Sequence, residues 1–206
     1  MTNINPADLP FAPACERNKE PILAELVRLL KKQSCVVEIG SGTGQHAIYF
    51  TEHLPHVTWQ PTDLSQHLAG IEGWRAYRPQ ANLLPSIPLD ISKTPWLIPP
   101  CDVFFTANTL HIVSWELGKL MIKECGHHLP LGGQLVIYGP FNYRGQYTSD
   151  SNAHFDLWLK ERDPASAIRD FEKVVKTADL AGLQLKEDNT MPANNRLLVF
   201  EKIAEK

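Results

Sequence analysis

The chain has 206 residues, a hydrophobic fraction of 43% and a formal net charge of −3, which suits one domain with a substantial core. This charge balance gives no sign of a basic surface, so we expect no nucleic-acid partner. Residues 1–11 lack a basic segment followed by an apolar run, and no run of about 18 apolar residues occurs. We therefore expect no secretory signal, no membrane partner and a cytoplasmic location.

The four cysteines, at positions 15, 35, 101 and 125, form no Cys-x-x-Cys pair. This spacing predicts neither a zinc site nor a redox dithiol, and no metal is expected. Composition gives no indication of the oligomeric state.

The N-terminal arm, residues 1–20, is predicted to be irregular, and Pro21 is predicted to begin an amphipathic helix that continues to Leu30. Within the arm, Phe11, Arg17 and Asn18 place an aromatic ring, a cation and an amide close together. One interpretation is a lid over a bound ligand; the other is an exposed arm held by local capping bonds.

A short apolar run, Val36–Ile39, is followed by Gly40, Gly42 and Gly44, and apolar residues then recur at helical spacing. This order predicts a strand, a tight loop and a helix. Without Cβ atoms the loop admits a ligand close to the backbone, next to the helix's first amides. A dinucleotide fingerprint would need glycine at position 45, which is Gln45, and no Walker-type Gly-Lys-Ser/Thr follows.

Two acidic residues follow the next predicted strands. Asp63 lies 23 residues after Gly40, beyond the strand Val57–Gln60; there a carboxylate can accept from ribose hydroxyls, with Leu64 against the nucleoside, or Asp63 can cap the next helix. Asp90 ends a short edge strand around Ile87–Leu89, where it can accept from an adenine amine while Ile91 packs on the ring. The alternative for Asp90 is an ordinary loop residue.

The second half of the sequence is predicted to contain a fourth strand at 103–106, a helix capped by Ser114, a fifth strand at 134–138 and a short helix at 152–161. A long loop, 139–147, follows the fifth strand. Asp163-Pro164 is predicted to begin the last helix, before an antiparallel strand pair. In a doubly wound parallel sheet the carboxyl ends of the strands hold the ligand. We therefore expect Asn108, Leu110 and His111 to lie at the reacting centre.

Glu38 completes an E-x-G-x-G-x-G pattern that resembles motif I of the class I S-adenosylmethionine (SAM)-dependent methyltransferases. The resemblance implies SAM as cofactor and a Rossmann-like α/β fold: a seven-stranded, mostly parallel sheet of order 3-2-1-4-5-7-6, with helices on both faces, forming one domain over 1–206. It implies that the loop wraps the methionine part and that Glu38 orients the loop or the amino group. The implied cofactor-side residues are Arg17, Asn18, Glu38, Gly40, Ser41, Gly42, Thr43, Gly44, Gln45, Asp63, Leu64, Asp90, Ile91, Asn108 and Leu110.

Further segments resemble a narrower methyltransferase-like family long labelled a domain of unknown function. They are Pro13–Lys19, Gly40–His46, Tyr138–Phe141, Ser151-Asn152, Glu161–Pro164 and Pro192–Arg196. This resemblance extends over nearly the whole chain but does not imply a particular substrate.

The reaction expected from this resemblance is methyl transfer from SAM to an unidentified small molecule. A general base is needed only if the methyl acceptor must lose a proton. Candidates for this base are His111, Tyr138, His154 and Asp156, and candidates for the acceptor side are Phe11, His111, Phe141, Tyr143 and Trp158. The alternatives are a non-catalytic SAM-binding regulatory module and a nicotinamide-dependent oxidoreductase, which Gln45 disfavours.

Overall fold

The computed structural model describes residues 5–32 and 34–204. The chain divides into two compact units. The first unit is the part of the chain up to Asp90 together with Leu97–Cys101, and the second is Ile91–Trp96 together with the part from Asp102 onwards.

The first unit contains three parallel strands in the order β3-β2-β1. Its elements are a short 3-10 helix Pro6–Asp8, α1 Pro13–Leu29, β1 Ser34–Ile39, α2 Gln45–His53, β2 Val57–Asp63, α3 Leu68–Tyr77 and β3 Ile87–Pro88. The apolar runs of β1 and β2 are buried, as expected of parallel strands covered on both faces. Fully buried side chains of helices and strands form its core: Ile22, Leu26, Val36, Val37, Phe50 and Trp59.

The second unit contains strands in the order β4-β5-β8-β7, with β6 paired to the end of β5. Its elements are β4 Val103–Ala107, α4 Trp115–His128, β5 Gln134–Asn142, α5 Asp150–Arg162, β6 Arg169–Asp170, α6 Phe171–Leu180, β7 Leu183–Met191 and β8 Asn195–Lys202. β5 runs parallel to β4 and antiparallel to β8, which forms a hairpin with β7. The predicted orders 3-2-1 and 4-5-7-6 are therefore confirmed within the two units, with β6 as an additional strand.

The first helix begins at Pro13, not at the predicted Pro21. Both prolines suit a first helical position, but Pro13 takes that position and Pro21 lies inside the helix. An interior proline removes a backbone hydrogen bond, and the helix tolerates it while burying Asn18, Ile22 and Leu26. Residues 13–20 of the predicted irregular arm are thus helical, and residues 1–4 lie outside the described part.

Two predicted boundaries in the second unit are also wrong. β5 continues through 139–142, predicted as loop, because its backbone pairs with β8 as far as Pro140 and with β6 at Phe141 and Asn142. The last helix begins at Phe171, not at Asp163. The amide of Ala165 donates to the Asp163 side chain, so the segment before β6 uses its amides in a loop rather than in a helix.

Within residues 5–32 and 34–204, no helix combines the length and the apolar character needed to cross a membrane.

Candidate functional site

The glycine loop is held in a conformation that suits glycine at each alternate position. Gly40, Gly42 and Gly44 have φ values of 72°, 57° and 86°. Residues that carry a Cβ atom rarely adopt such positive values. A Cβ on Gly44 would lie 3.0 Å from Ile71 Cα, whereas a Cβ on Gly42 would meet no described atom within 4 Å. The first glycine therefore shapes the turn, the last allows α2 to pack on α3, and the middle one borders open space.

Glu38 lies at the base of the loop and is 1% exposed. Its Oε2 accepts hydrogen bonds from Ser41 Oγ at 2.8 Å and from Trp59 Nε1 at 3.0 Å. Burial raises the pKa of Glu38 to about 7, and the nearby Asp63 charge adds to this, against the hydrogen bonds from Trp59 and Ser41. A carboxylate held in this way favours a cationic ligand group, which would compensate its lost hydration.

Asp63, at the end of β2, fastens the loop through its carboxylate. Oδ2 accepts from the Gly42 amide at 2.7 Å, and Oδ1 accepts from the Leu64 amide and from His67 Nδ1, both at 2.7 Å. The helix that follows begins at Leu68 and has no side-chain cap. The alternative prediction, that Asp63 caps this helix, is therefore wrong.

Gln45 joins the glycine loop to the segment that precedes and opens α1. Its Oε1 accepts from the Ala12 amide at 2.6 Å and from Thr43 Oγ1 at 2.9 Å, and its Nε2 donates to Glu16 Oε1 at 2.9 Å. The residue that replaces glycine in a dinucleotide fingerprint is thus one of those that bind the N-terminal segment.

A second contact between α1 and α2 is buried. Asn18 Oδ1 lies 2.7 Å from His46 Nε2, and the His46 ring stacks on Phe50. Burial lowers the pKa of His46 to about 4, so this imidazole is neutral at neutral pH and can donate to Asn18. Asn18, predicted on the cofactor side, uses its amide oxygen here.

Residues 9–12, hereafter the arm tip, pack on α3. Trp74 Nε1 donates to the Pro10 carbonyl at 2.8 Å. A Cβ on Gly70 would come within 2.7 Å of Pro10 Cγ, and one on Gly73 within 2.9 Å of Leu9 Cδ2. The glycines of α3 therefore form a surface on which the arm tip rests.

Several predicted ligand residues of the first unit are accessible. Phe11 is 60% exposed and Leu64 is 37% exposed. Arg17 is exposed, and its guanidinium has no hydrogen bond or ion pair within the described residues. Asp90 is half-buried. Arg17 and Leu64 are therefore available to a ligand.

In the second unit, the segment 108–113 follows β4. Asn108 has a φ of 59°, and its amide donates to the Tyr138 carbonyl at 2.9 Å. Leu110 and His111 are 4% and 5% exposed. The His111 ring meets Phe155 edge-on, at a centroid distance of 5.3 Å. Burial, with a smaller effect from the Arg169 charge, lowers the pKa of His111 to about 4, so the imidazole is neutral at neutral pH.

Residues 165–170, hereafter the strap, bind the 108–113 segment by its carbonyls. The Ala167 amide donates to the His111 carbonyl at 3.0 Å, and Ser166 Oγ donates to the Ile112 carbonyl at 2.5 Å. Arg169 donates to the carbonyls of Leu110, Val113 and Ala165. The backbone of His111 is thus fixed from one side.

Asp156 connects α5 to the strap. Its carboxylate is 1% exposed and accepts from the Ile168 amide at 2.6 Å, Tyr147 Oη at 2.7 Å and Lys160 Nζ at 2.5 Å. Burial raises the pKa of Asp156, but these three donors outweigh it and the pKa is lowered. Such a carboxylate is an anion with few lone pairs left for an acceptor's proton.

The other two predicted bases differ sharply in exposure. Tyr138 is 3% exposed, between β4 and β8 within the sheet. His154 is exposed on α5. Their predicted roles remain predictions.

The three predicted acceptor-side aromatics of the second unit occupy different environments. Phe141 is 1% exposed. Tyr143 Oη donates to both Asp188 oxygens, at 2.8 and 3.0 Å, while Trp158 is 46% exposed and stacks on Phe155. Burial and the Asp188 carboxylate raise the pKa of Tyr143. Trp158 is the most exposed of these three, and the Arg162 guanidinium lies 4.6 Å from the centroid of its ring.

Sequence reasoning missed three residues that organise these sites: His46, His67 and Arg169. His46 directly follows the glycine loop, and a polar residue at that position could have indicated a buried partner. No local pattern indicated Arg169, because its carbonyl partners lie up to 59 residues away.

The chain has the fold of methyltransferase structures. It matches an O-methyltransferase family protein from Burkholderia thailandensis with a TM-score of 0.81 and 15% identity, covering 94% of this chain and 58% of that one. Human N-acetylserotonin methyltransferase, solved with SAM, gives a TM-score of 0.78, 13% identity and coverages of 93% and 53%. A putative methyltransferase from Bacillus halodurans matches with a TM-score of 0.70 and 15% identity, and the match covers 88% of this chain and 99% of that one.

A curated relative and a family model also match the sequence. The pluviatolide O-methyltransferase of Sinopodophyllum hexandrum is 28% identical over 145 residues, which are 67% of this chain and 36% of that protein. The chain therefore spans about a third of this relative. The model of DUF938, a protein of unknown function, matches residues 9–202. The match includes the arm tip, the glycine loop and the strap, and the chain belongs to the DUF938 family.

Proposed function

We propose that the chain is a SAM-dependent methyltransferase that acts on a small molecule. The observation that carries this proposal is the glycine loop of the first unit, which has open space at the Cβ position of Gly42 and is held by the carboxylates of Glu38 and Asp63. The methyltransferase fold and the O-methyltransferase relative support it.

The residues of the first unit fit SAM in charge and shape. The buried Glu38 carboxylate suits the ammonium of the methionine part, and the Arg17 guanidinium, which has no partner among the described residues, suits its carboxylate. An ionised carboxyl group has about four acceptor positions, and three donors occupy Asp63. Asp63 therefore retains capacity for a ribose hydroxyl, and Leu64 offers an apolar surface beside it.

When bound, SAM supplies a methyl group on a sulfonium, which is already activated for transfer. The protein then needs to hold the acceptor's nucleophilic atom in line with that methyl group, and such positioning contributes roughly 7–11 kcal/mol. If the acceptor is a hydroxyl, the new O–CH₃ bond forms as the S–CH₃ bond breaks, and the hydroxyl proton must leave. Neutral His111 is our candidate to accept this proton and pass it to water.

A small-molecule acceptor and a cytoplasmic location belong to the same proposal. The net charge of −3 disfavours a nucleic-acid substrate, because phosphate binding needs clustered cations. Cell fractionation of the tagged chain tests the location.

The function is tested with purified protein, methyl-deuterated SAM and a small-molecule cell extract, followed by mass spectrometry. We expect a labelled small molecule and an equal amount of S-adenosylhomocysteine. His111→Gln should lower this transfer by about 10²–10⁴-fold if His111 is the base, without changing SAM affinity.

Two outcomes would contradict the proposal. SAM binding without a labelled product in any extract would favour the regulatory module. Binding of NADH in place of SAM, detected by the fluorescence of NADH, would favour the oxidoreductase.

A further inference from the structure

Asn142, the last residue of β5, contains a buried polar atom without a partner. The residue is 9% exposed, and its Oδ1 has no hydrogen bond among the described residues. A buried carbonyl oxygen without a donor is destabilising, and native proteins retain few of them. The other such atom in the described part, Trp96 Nε1, lies among the rings of Phe104 and His128.

The strap contacts the backbone of both Asn142 and His111. Phe141 and Asn142 pair with Arg169 and Asp170 in β6, while Ala167, three residues before Asp170, binds the His111 carbonyl. Asn142 is therefore at the carboxyl end of β5, where α/β sheets bind their ligands.

Three charged groups around this position are compensated within the protein. The guanidinium of Arg169 is used by backbone carbonyls, and Asp170 forms an ion pair with Lys173 at 2.7 Å. Asp188, which holds the neighbouring Tyr143, is bound by Arg196 at 2.6 Å. The neutral groups near this position are the carboxamide of Asn142, the His111 imidazole and the Phe155–Trp158 ring pair. Two cations are also near: the Arg162 guanidinium lies 4.6 Å from the Trp158 ring centroid, and Arg144 is exposed two residues after Asn142.

We propose that Asn142 is an acceptor-binding residue whose carboxamide oxygen accepts a hydrogen bond from an N–H or O–H group of the methyl acceptor. For this contact the oxygen must turn toward the exposed side of the residue, and rotation about χ2, a soft torsion in asparagine, permits such a turn. This inference rests on the proposed methyl transfer.

The first test is thermal unfolding of Asn142→Leu. Replacing an unpaired polar group by an apolar one of similar size removes a cost, so the melting temperature should equal or exceed that of the parent. Asn152→Leu is the matched control, because Asn152 is 5% exposed and its Nδ2 donates to Thr148 Oγ1 and the Asn194 carbonyl. The control should melt at a lower temperature. A comparable loss in Asn142→Leu would overturn the inference, since the carboxamide would then be structural.

The second test is transfer of labelled methyl groups from SAM to an extract. Asn142→Leu should bind SAM with the parent's dissociation constant and lose about 2- to 13-fold in labelled product, the effect of one hydrogen bond. Every methyl acceptor that the parent labels and the variant does not should carry an N–H or O–H group. The NMR spectrum of the labelled product identifies that group. Unchanged labelling by the variant would overturn this role of Asn142 alone, whereas absence of labelling by the parent protein would overturn the proposed function and this inference together.

Discussion

The carboxylate of Asp63 binds the amide of Gly42, with 2.7 Å between Oδ2 and the nitrogen. The two residues come from different elements, the end of β2 and the loop after β1. Their bond fixes Gly42, a loop glycine whose missing Cβ faces open space. The acidic residue thus has two tasks, to hold the loop and, in our proposal, to bind the ribose.

Asp63→Ala should weaken SAM binding by roughly 1–3 kcal/mol, or about 5–150-fold, because it removes both tasks. Asp63→Asn keeps an oxygen for the Gly42 amide and should lose less. Isothermal titration calorimetry measures both affinities, with Glu161→Ala, at an exposed position of α5, as the control. Equal affinity of Asp63→Ala and the parent would remove the ribose assignment.

Glu38→Gln should make the protein more stable and its SAM binding weaker. The folded-state pKa of Glu38 is about 7 against 4.5 in the unfolded chain, so the folded state binds this proton more tightly. The contribution of Glu38 to the free energy of unfolding therefore falls as pH rises from about 4.5 to about 7. Glutamine does not ionise and so avoids this loss. The free energy of unfolding of Glu38→Gln should therefore exceed that of the parent by up to about 3 kcal/mol at pH 8.

Urea unfolding of both proteins at pH 4.5 and pH 8 measures this difference. We expect the gain from Glu38→Gln to be small at the lower pH and largest at the higher one. A variant less stable than the parent at pH 8 would mean that the carboxylate is needed for folding, not for a ligand.

Gly70→Ala should release the arm tip from α3. A methyl group at this position collides with the rigid ring of Pro10, whereas the methyl group of Gly73→Ala meets only the flexible end of Leu9. We expect faster chymotryptic cleavage at Phe11 in Gly70→Ala and, if the arm is a lid, weaker SAM binding. Gly73→Ala is the control. Identical cleavage and affinity in the two variants would argue that the arm tip has no role as a lid.

Asp156→Ala should destabilise the protein, since the Ile168 amide loses its buried partner, by about 1–3 kcal/mol. His154→Ala, on the same helix but exposed, should stay within about 0.5 kcal/mol of the parent. Chemical denaturation compares them. If Asp156→Ala keeps full stability but loses methyl transfer, Asp156 is the base and not an anchor of the strap.

The parts of the site that the sequence predicts are those that depend on local spacing. The strand, the glycine loop and the position of Asp63 follow from residues within about one βαβ unit. The strap does not, because the bond of Ile168 to Asp156 and those of Arg169 to segment 108–113 join distant elements.

The boundary of α1 illustrates the same limit. Pro13 and Pro21 are equivalent as local start signals, and a long-range contact, that of Asn18 with His46, accompanies the longer helix. Likewise, 139–142 resembles a loop by composition, and only pairing with β6 and β8 makes it strand.

The most direct test is the SAM affinity of Gly42→Val compared with that of Gly132→Val, measured by calorimetry. Both glycines have positive φ and open space at the Cβ position, so both variants carry similar backbone strain. We predict that only Gly42→Val loses SAM binding, with both variants folded by circular dichroism. Parent-like affinity in a folded Gly42→Val would contradict the placement of the cofactor over this loop.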